Sequence, residues 1–396
     1  MRKSKKIKYL AGAHAPLSKM LKPYDENVCE FFNELSRSLL KDKDVKKYPD
    51  VASYAFWCRK NNINKLKENF KEEHIRLGLG IAFHISPSNV PVNFAYSFSF
   101  GLLSGNSNII RVPSKLFPQV KIICNAINNL FKIKKYKKIK EMNSFVRYEK
   151  NDQITAFYSS KCNARIIWGG SESIKNIRTI PIPERSVEIT FADRYSFCLM
   201  DATSVAKLNK TKLRRLAEKF YNDTYVIDQN ACSSPHLIIW VGKNKKVAKK
   251  KFWNTLYLVV KQKYVLEDVG IIDKYTQLFR NAIDFKNIKF AKRYGNYIYC
   301  VSLNNLPNNT DTLRGKWGYF YEHDTDDFVK IANIVSSKFQ TLTYFGIKKS
   351  KLKNFVNKYD LPGIDRIVPV GQSLDIGFIW DGFDMQRSLS RVIEVR

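Results

Sequence analysis

The sequence predicts an α/β protein built on parallel sheets, and three observations carry that expectation. A short apolar strand at residues 80–85 ends in a Ser-Pro-Ser-Asn turn, followed by a helix of small residues and a second strand at 108–112. Strands alternating with helices are the pattern of crossover connections in a parallel sheet. A further buried-type strand, residues 165–168, runs into Gly169-Gly170-Ser171-Glu172-Ser173. Strand, glycine turn and helix in that order bring backbone N–H groups close to a phosphate. The chain has 396 residues, 44% of them hydrophobic and 13% aromatic, which is enough for two domains with full cores and too apolar for a disordered chain.

The elements follow in order. Residues 1–75 read as helical, with apolar positions at three- and four-residue spacing over 25–40 and 50–70. After the two strands already named, 117–131 reads as the next crossover helix. A strand-like stretch at 196–200 precedes Asp201, and 202–221 reads as a cationic amphipathic helix. The segment Asp228-Gln229-Asn230-Ala231-Cys232-Ser233-Ser234-Pro235 is a turn that delivers a strand at 236–241. The C-terminal third mixes strand and helix signals.

Several classes are excluded. The best apolar stretch, 236–241, is strand-sized, far short of the ~20 residues a bilayer span requires. The N-terminus is basic (Arg2, Lys3, Lys5, Lys6, Lys8), but only Tyr9-Leu10-Ala11-Gly12-Ala13 follows before His14, too short for the apolar core of a secretory leader. A cytoplasmic protein is expected. The seven cysteines are scattered without a close pair, and the five histidines are equally dispersed, so neither a disulfide framework nor a metal site is expected. With 68 Lys and Arg against 36 Asp and Glu the net charge is +32. The basic runs at 132–140, 243–251 and 348–353 lie far apart and carry no nucleic-acid-binding pattern. They read as lysine-rich solvated faces or as a field that steers an anionic substrate such as a nucleotide cofactor, coenzyme A or an acidic carrier.

Three segments carry chemistry. Cys232 sits in a polar turn flanked by Asn, Ser and Ser, whereas a structural cysteine prefers an apolar surround and a nucleophilic thiolate needs polarity and access. The Ser86-Pro87-Ser88-Asn89 turn is either an ordinary Pro/Asn turn or one that presents an amide to an oxyanion. The Gly169-Gly170-Ser171 turn is either a common strand exit or a phosphate cradle.

The order of these segments is more specific than any one alone. HISPSNVP (84–91), LLSGNSNIIRVPSK (102–115), WGGSES (168–173), DRYS (193–196), DQNACSSPH (228–236), QTLTYFG (340–346) and GIDRIVPVGQSLDIGFIWDGFD (363–384) together resemble the aldehyde dehydrogenase superfamily, in particular its LuxC-type acyl-CoA and acyl-protein thioester reductases. The resemblance implies a Rossmann-type cofactor domain joined to an α/β catalytic domain. It gives a helical segment over 1–75, a nucleotide-binding domain over 76–202, a catalytic domain over 203–360 and a C-terminal segment over 361–396 that packs back or joins subunits. By the same resemblance Cys232 is the acyl-accepting nucleophile, and Asn89 stabilises the oxyanion with the Cys232 backbone N–H. Gly169, Gly170 and Ser171 lie near the cofactor pyrophosphate and nicotinamide, and Ser114 and Lys115 hold the adenosine ribose.

Two departures from the superfamily pattern matter. The ribose motif reads Arg-Val-Pro-Ser-Lys, with Val112 at the usual lysine position, Arg111 one place earlier, and a cation at Lys115 where an acid would bind a free 2′-hydroxyl. That charge suits a 2′-phosphate, hence NADPH over NADH. The hydrolytic members' water-activating Glu is replaced near Thr190, with Glu188 two residues away on the same strand face and open as a surrogate. His236 is open as an acid or base, or as an exposed surface histidine. The other six cysteines (29, 58, 124, 162, 198, 300) are expected to be packing residues. The activity implied is NADPH-dependent reduction of an acyl thioester, from acyl-CoA or an acylated carrier or synthetase protein, to the aldehyde through an S-acyl-cysteine. A homo-oligomer is expected from the superfamily. The alternatives are a CoA-acylating aldehyde dehydrogenase working oxidatively on a small aldehyde, and a non-catalytic basic scaffold.

Overall fold

The computed structural model describes residues 7–396; the basic N-terminal residues through Lys6, with the start of the segment expected to be helical, lie outside the described residues. The chain forms two compact units, Met1–Asp193 with Ile376–Arg396, and Arg194–Asp375.

The first unit contains strands β1 (Lys8–Gly12), β2 (Ile75–Gly78), β3 (Ile81–Ile85), β4 (Ser107–Arg111), β5 (Asn143–Arg147), β6 (Ala164–Trp168) and β7 (Val187–Phe191). Its helices are α1 (Glu26–Lys41), α2 (Pro49–Trp57), α3 (Lys60–Asn69), α4 (Asn93–Leu103), α5 (Pro118–Phe131), α6 (Lys137–Met142), α7 (Asp152–Ser159) and α8 (Ser171–Arg178). The sheet order is β1-β5-β4-β3-β6-β7, all parallel except the edge strand β1. Every residue of β6 is buried and β4 is buried up to Arg111, as strands covered on both faces must be. Helix α1 is capped by Asp25, which accepts from the N–H groups of Asn27 and Val28, and it buries Val28, Phe31, Phe32, Leu35 and Leu39 at helical spacing.

The second unit opens with β8 (Tyr195–Asp201), α9 (Ala202–Ala206), α10 (Lys210–Thr224) and β9 (Pro235–Val241). It continues with α11 (Lys245–Lys263), α12 (Asp268–Asp284), β10 (Ile288–Tyr294), β11 (Ile298–Leu303), β12 (Tyr319–Asp324), β13 (Phe339–Phe345), α13 (Lys349–Tyr359) and β14 (Arg366–Pro369). Its sheet order is β10-β11-β12-β9-β8-β13-β14, parallel apart from the edge strand β10. The chain then returns to the first unit with β15 (Ile379–Trp380), β16 (Phe383–Asp384), α14 (Met385–Ser388) and β17 (Ser390–Ile393), the last pairing antiparallel with β2.

Five local expectations change. Lys8–Gly12 is a strand, held by pairing with β5; Gly12 takes φ 82°, and a Cβ there would lie 2.0 Å from the Asn143 carbonyl oxygen. The helix expected over 50–70 breaks at Arg59, which is extended, with its guanidinium 3.9 Å from the Phe56 ring centroid while Asn62 Nδ2 donates to the Trp57 carbonyl. The freed helix end is thereby satisfied locally. The helix expected over 202–221 is two, because Asp201 caps α9 and Asn209 caps α10 separately. The break between units falls at 193/194 rather than after 202, since β8 pairs with β9 and β13 of the second sheet. The C-terminal segment is likewise divided, with residues through Asp375 in the second unit and Ile376–Arg396 in the first.

The Trp380-Asp381-Gly382 stretch has a local explanation. Asp381 (φ 52°) and Gly382 (φ 82°) form the two-residue loop of the β15–β16 hairpin, where both central residues need positive φ.

Candidate active site

In the first unit, β3 is where the strand order reverses: β4 and β5 lie to one side of it, β6 and β7 to the other. The order β5-β4-β3-β6-β7 is that of a doubly wound dinucleotide-binding half, whose ligands occupy the crevice beyond the carboxyl ends of the strands at the reversal. The Ser86–Asn89 turn leaves β3 and the Gly169–Ser171 turn leaves β6, so the topology brings these two sequence motifs to adjacent strand ends. Asn89 is exposed. Two buried polar atoms at the same strand–helix turn, Ser86 Oγ and Asn93 Oδ1, lack a partner among the described residues.

The glycines of the second turn are not there to relieve crowding. A Cβ on Gly170 would meet nothing within 4 Å, and one on Gly169 only the Ser173 Cβ at 3.6 Å. Gly170 is the N-cap of α8 and supplies no side-chain cap. This leaves open space in front of a helix N-terminus, with backbone N–H groups facing it. Open glycine backbone and orphaned polar atoms at the reversal point fit a dinucleotide.

A directed chain of hydrogen bonds fixes the strand ends. Trp168 Nε1 donates to Ser97 Oγ (2.9 Å), and because Asn108 Oδ1 takes the proton on Nε2 of the neutral His84 ring, the Ser97 hydroxyl donates to His84 Nδ1 (2.7 Å). His84 Nε2–H then donates to Asn108 Oδ1 (3.0 Å), and Asn108 Nδ2 to Asn143 Oδ1 (2.8 Å). One tautomer of His84 satisfies all partners. Its burial pushes the imidazole pKa down to about 4, so the ring is neutral at physiological pH.

Of the ribose-motif residues, Val112 is buried in the core and is no surrogate for the missing lysine. The Arg111 guanidinium lies 4.5 Å from the centroid of the Tyr148 ring. Arg147 Nε donates to the Pro113 carbonyl (3.1 Å) and holds the loop. Ser114 is half-buried, and Lys115 is exposed with its ammonium 5.2 Å from the Phe117 ring centroid.

Glu188 is not a free base. Its carboxylate accepts from Nε (2.7 Å) and Nη2 of Arg165, a guanidinium buried in the core, and pairs with Arg178 at 3.0 Å. Arg165 and Glu188 face each other across the β6–β7 ladder.

In the second unit, Cys232 lies half-buried in the turn before β9, at the amino ends of the parallel strands. Two residues in succession, Asp228 (φ 54°) and Gln229 (φ 61°), are left-handed, a conformation that costs non-glycine residues about 1–2 kcal/mol each. Long-range bonds hold them. The buried Gln229 amide donates to the carbonyls of Pro235 and Tyr319 (3.1 Å each) and accepts from the Gly318 N–H (3.2 Å). Asp228 accepts from the Tyr264 hydroxyl (2.5 Å). The Ser196 hydroxyl donates to the Cys232 carbonyl (2.6 Å), and Ser234 Oγ donates to the Asp223 carbonyl (2.8 Å). The Asp223 carboxylate in turn takes the N–H groups of Gly371 (2.6 Å) and Ser373 (2.9 Å).

His236 is buried rather than exposed. It stacks on Tyr195, and its Nδ1 lies 3.0 Å from the Gly315 carbonyl. Burial, with help from the nearby Arg314 charge, pushes its pKa down to about 3, so the ring is neutral at physiological pH.

Of the other cysteines, five are buried and Cys29 is half-buried. Burial raises the thiol pKa of Cys124 to about 12 and those of Cys29 and Cys162 to about 11. Among the described residues no three His, Cys, Asp or Glu side chains are grouped to hold a metal ion, and no helix is long and apolar enough to cross a membrane.

Solved structures share this architecture. An NAD-dependent benzaldehyde dehydrogenase from Corynebacterium glutamicum superposes with a TM-score of 0.61 at 11% identity, covering 92% of this chain and 84% of that one. Aldehyde dehydrogenase 21 from Physcomitrella patens gives 0.62 at 9% identity, covering 93% and 86%. A point mutant of the 1-pyrroline-5-carboxylate dehydrogenase of Thermus thermophilus gives 0.59 at 11%, covering 93% and 81%. At such identities the likeness shows the fold, that of the aldehyde dehydrogenases. No curated protein matches the sequence significantly. The sequence model of the family described as acyl-CoA reductase (LuxC) matches residues 22–264, more than half of the chain, and the chain therefore belongs to the LuxC acyl-CoA reductases, oxidoreductases acting on acyl groups.

Proposed function

We propose that the protein reduces an acyl thioester to the aldehyde through an S-acyl intermediate on Cys232, with NADPH as reductant. The observation that carries this reading is the setting of Cys232, a half-buried cysteine on a turn with two left-handed residues that hydrogen bonds of Gln229, Ser196 and Ser234 hold in place. A nucleophile needs a position short of full burial and a fixed aim.

The Cys232 thiolate adds to the thioester carbonyl, the oxyanion re-forms the carbonyl, and the donor thiol departs as thiolate. We assign Asn89 the side-chain amide that the superfamily pattern gives to the oxyanion; loss of one such donor costs about 10²–10³ in rate. A bound reduced nicotinamide supplies the hydride. The tetrahedral hemithioacetal on Cys232 then expels the cysteine thiolate and releases aldehyde. Gly169, Gly170 and Ser171 would hold the pyrophosphate side of the dinucleotide, while Arg111, Ser114 and Lys115 would hold the adenosine side. With Glu188 committed to Arg165 and Arg178, the acyl-enzyme is spared a water-activating carboxylate from that strand, which suits a reductase.

Intact mass spectrometry after incubation with acyl-CoAs of graded length, first without nucleotide, tests the reading. An adduct on Cys232, absent from Cys232→Ser and released as aldehyde on adding NADPH, is the expected result. No adduct from any acyl-CoA or acylated carrier protein overturns it, and preferential oxidation of short aldehydes with free coenzyme A reassigns the direction. For the cofactor, Lys115→Glu is expected to weaken NADPH binding, read by nucleotide fluorescence, while leaving NADH binding unchanged or stronger.

A further inference from the structure

The second sheet reverses its strand order at β8, with β9 on one side and β13 on the other, so it too is doubly wound. Open sheets of this kind take ligands beyond the carboxyl ends of their strands. Cys232 sits at the amino ends, which leaves the carboxyl-end crevice of this unit without a task. A cavity of about 430 Å³ lies there, within the ~300–1,000 Å³ of small-molecule sites. Its floor is apolar: Phe345 ends β13, Pro369 ends β14 with Val370 next, and Leu216 of α10 packs beside them.

The wall is cationic. Lys212, Arg215 and Lys219 of α10 line the cavity, and no acid does. Spacings of three and four residues put them on one helix face. All three are exposed, and their side chains make no hydrogen bond or ion pair among the described residues. The neighbouring acids are engaged elsewhere. Asp201, beside the lining Gly346, caps α9, and Glu218 of α10 pairs with Arg214 and Lys263. Like charges at these spacings, with Lys212 in the first turn, oppose the helix rather than support it. Three unpaired cations above an apolar floor select an amphipathic anion. They spread over ~10 Å of helix, which matches several phosphates better than one carboxylate, and the Arg215 guanidinium offers a fork that fits phosphate oxygens. We propose that this cavity binds a phosphorylated nucleotide, its phosphates on Lys212, Arg215 and Lys219 and its base against Phe345 and Pro369. The nucleotide part of coenzyme A and free ATP share this chemistry. The inference does not rest on the Cys232 reaction.

Isothermal titration calorimetry of the full chain with ATP, desulfo-coenzyme A and inorganic pyrophosphate tests it. The first unit also fits a nucleotide, so the readout is the difference between wild type and Lys212→Gln/Arg215→Gln/Lys219→Gln. A nucleotide equivalent present in wild type and weakened about a hundredfold in this variant is the expected result. Loss of ATP binding alone supports a free nucleotide as the occupant, and loss of desulfo-coenzyme A binding supports coenzyme A. The three positions are exposed and unpaired, and unchanged thermal unfolding verifies the fold. An equal loss in Lys246→Gln/Lys250→Gln/Lys261→Gln, which removes the same charge from exposed positions of α11, would mean diffuse attraction to a basic chain and overturns the proposal. Pyrophosphate binding as tightly as the nucleotides overturns it too, because the floor then plays no part. So does identical binding by wild type and the cavity variant.

Discussion

Replacing Gln229 by leucine tests whether the strained turn before Cys232 is held from a distance. The substitution keeps the side-chain bulk but removes two donated bonds, to the Pro235 and Tyr319 carbonyls, and one accepted bond, from the Gly318 N–H. Each buried backbone group left without its partner costs about 1–3 kcal/mol, so the loss sums to about 3–5 kcal/mol after local relaxation. For a unit of this size that lowers the melting temperature by about 10 °C. Without its anchors the turn relaxes from the left-handed conformation at residues 228 and 229, and the thiol loses its aim. Misplacement of a reacting group by ~1 Å costs about a hundredfold in rate. Single-turnover acylation of Cys232, followed by intact mass, should slow by that order, and alkylation by iodoacetamide, which needs no fixed aim, should slow far less. Gln229→Gly separates the two contributions: it relieves about 1–2 kcal/mol of backbone strain yet still lacks the three bonds, so it should fall between leucine and wild type. If Gln229→Leu acylates within about twofold of wild type and melts at the same temperature, the side chain does not position the turn and the reasoning fails.

The remaining predictions concern groups that sequence chemistry and structure assign differently. Glu188→Ala should destabilise the first unit by about 3 kcal/mol, because it leaves the buried Arg165 without its carboxylate. The lifetime of the S-acyl enzyme without nucleotide should not lengthen; a longer lifetime would make Glu188 the hydrolytic base after all. Acid sensitivity follows from His84 and His236, whose folded pKa values of about 4 and about 3 lie below the ordinary value. Their contribution is complete above pH ~6.5 and is lost as pH falls, at about 1.4 kcal/mol per pH unit for each. Asp223 acts in the opposite sense, since burial raises its carboxyl to about 6 and acidification toward pH 4 restores stability. Asp223→Asn should therefore steepen the loss between pH 6 and 4 about twofold relative to wild type, measured by urea midpoints; an unchanged slope rejects the assignment.

How much of the fold the sequence discloses depends on what forms each element. Strands β3, β4, β6 and β9 are visible because both of their faces are covered, so each carries adjacent apolar residues pointing to opposite faces, such as Ile109-Ile110 and Ile166-Ile167. Strand β1 is not, since Tyr9-Leu10-Ala11 is too short to set a period of its own and Lys8–Gly12 becomes a strand by pairing with β5. The breaks at Arg59 and between α9 and α10 escape a periodicity argument for a related reason. The apolar spacing continues across both, while capping by Asn62, Asp201 and Asn209 decides where the helices end. The division into units lies one strand earlier than the resemblance implies, because β8 belongs to whichever sheet supplies its neighbours. Its Ser196-Phe197-Cys198-Leu199 stretch has the same apolar character in either.

The candidate site divides along the same line. Cys232 and the Gly169–Ser171 turn stand out in the sequence because a nucleophile or an exposed backbone demands particular residue types at the position itself. Their supports are not readable, since Gln229 reaches Gly318 across 89 residues and Ser196 holds Cys232 across 36. A glutamine beside a cysteine signals nothing until the loop it spans is known. Glu188 shows the converse. Strand alternation puts it on the face of Thr190, and from one strand alone it is a credible base. The ladder brings Arg165 opposite it, and that guanidinium has no access to water with which to trade its partner. Releasing the carboxylate to activate a water molecule would leave a buried cation unpaired, a cost of about 3–5 kcal/mol that catalysis would meet at every turnover. The residue that keeps the sheet together is thereby committed to an ion pair, and the only acid on that strand is already claimed by a structural charge.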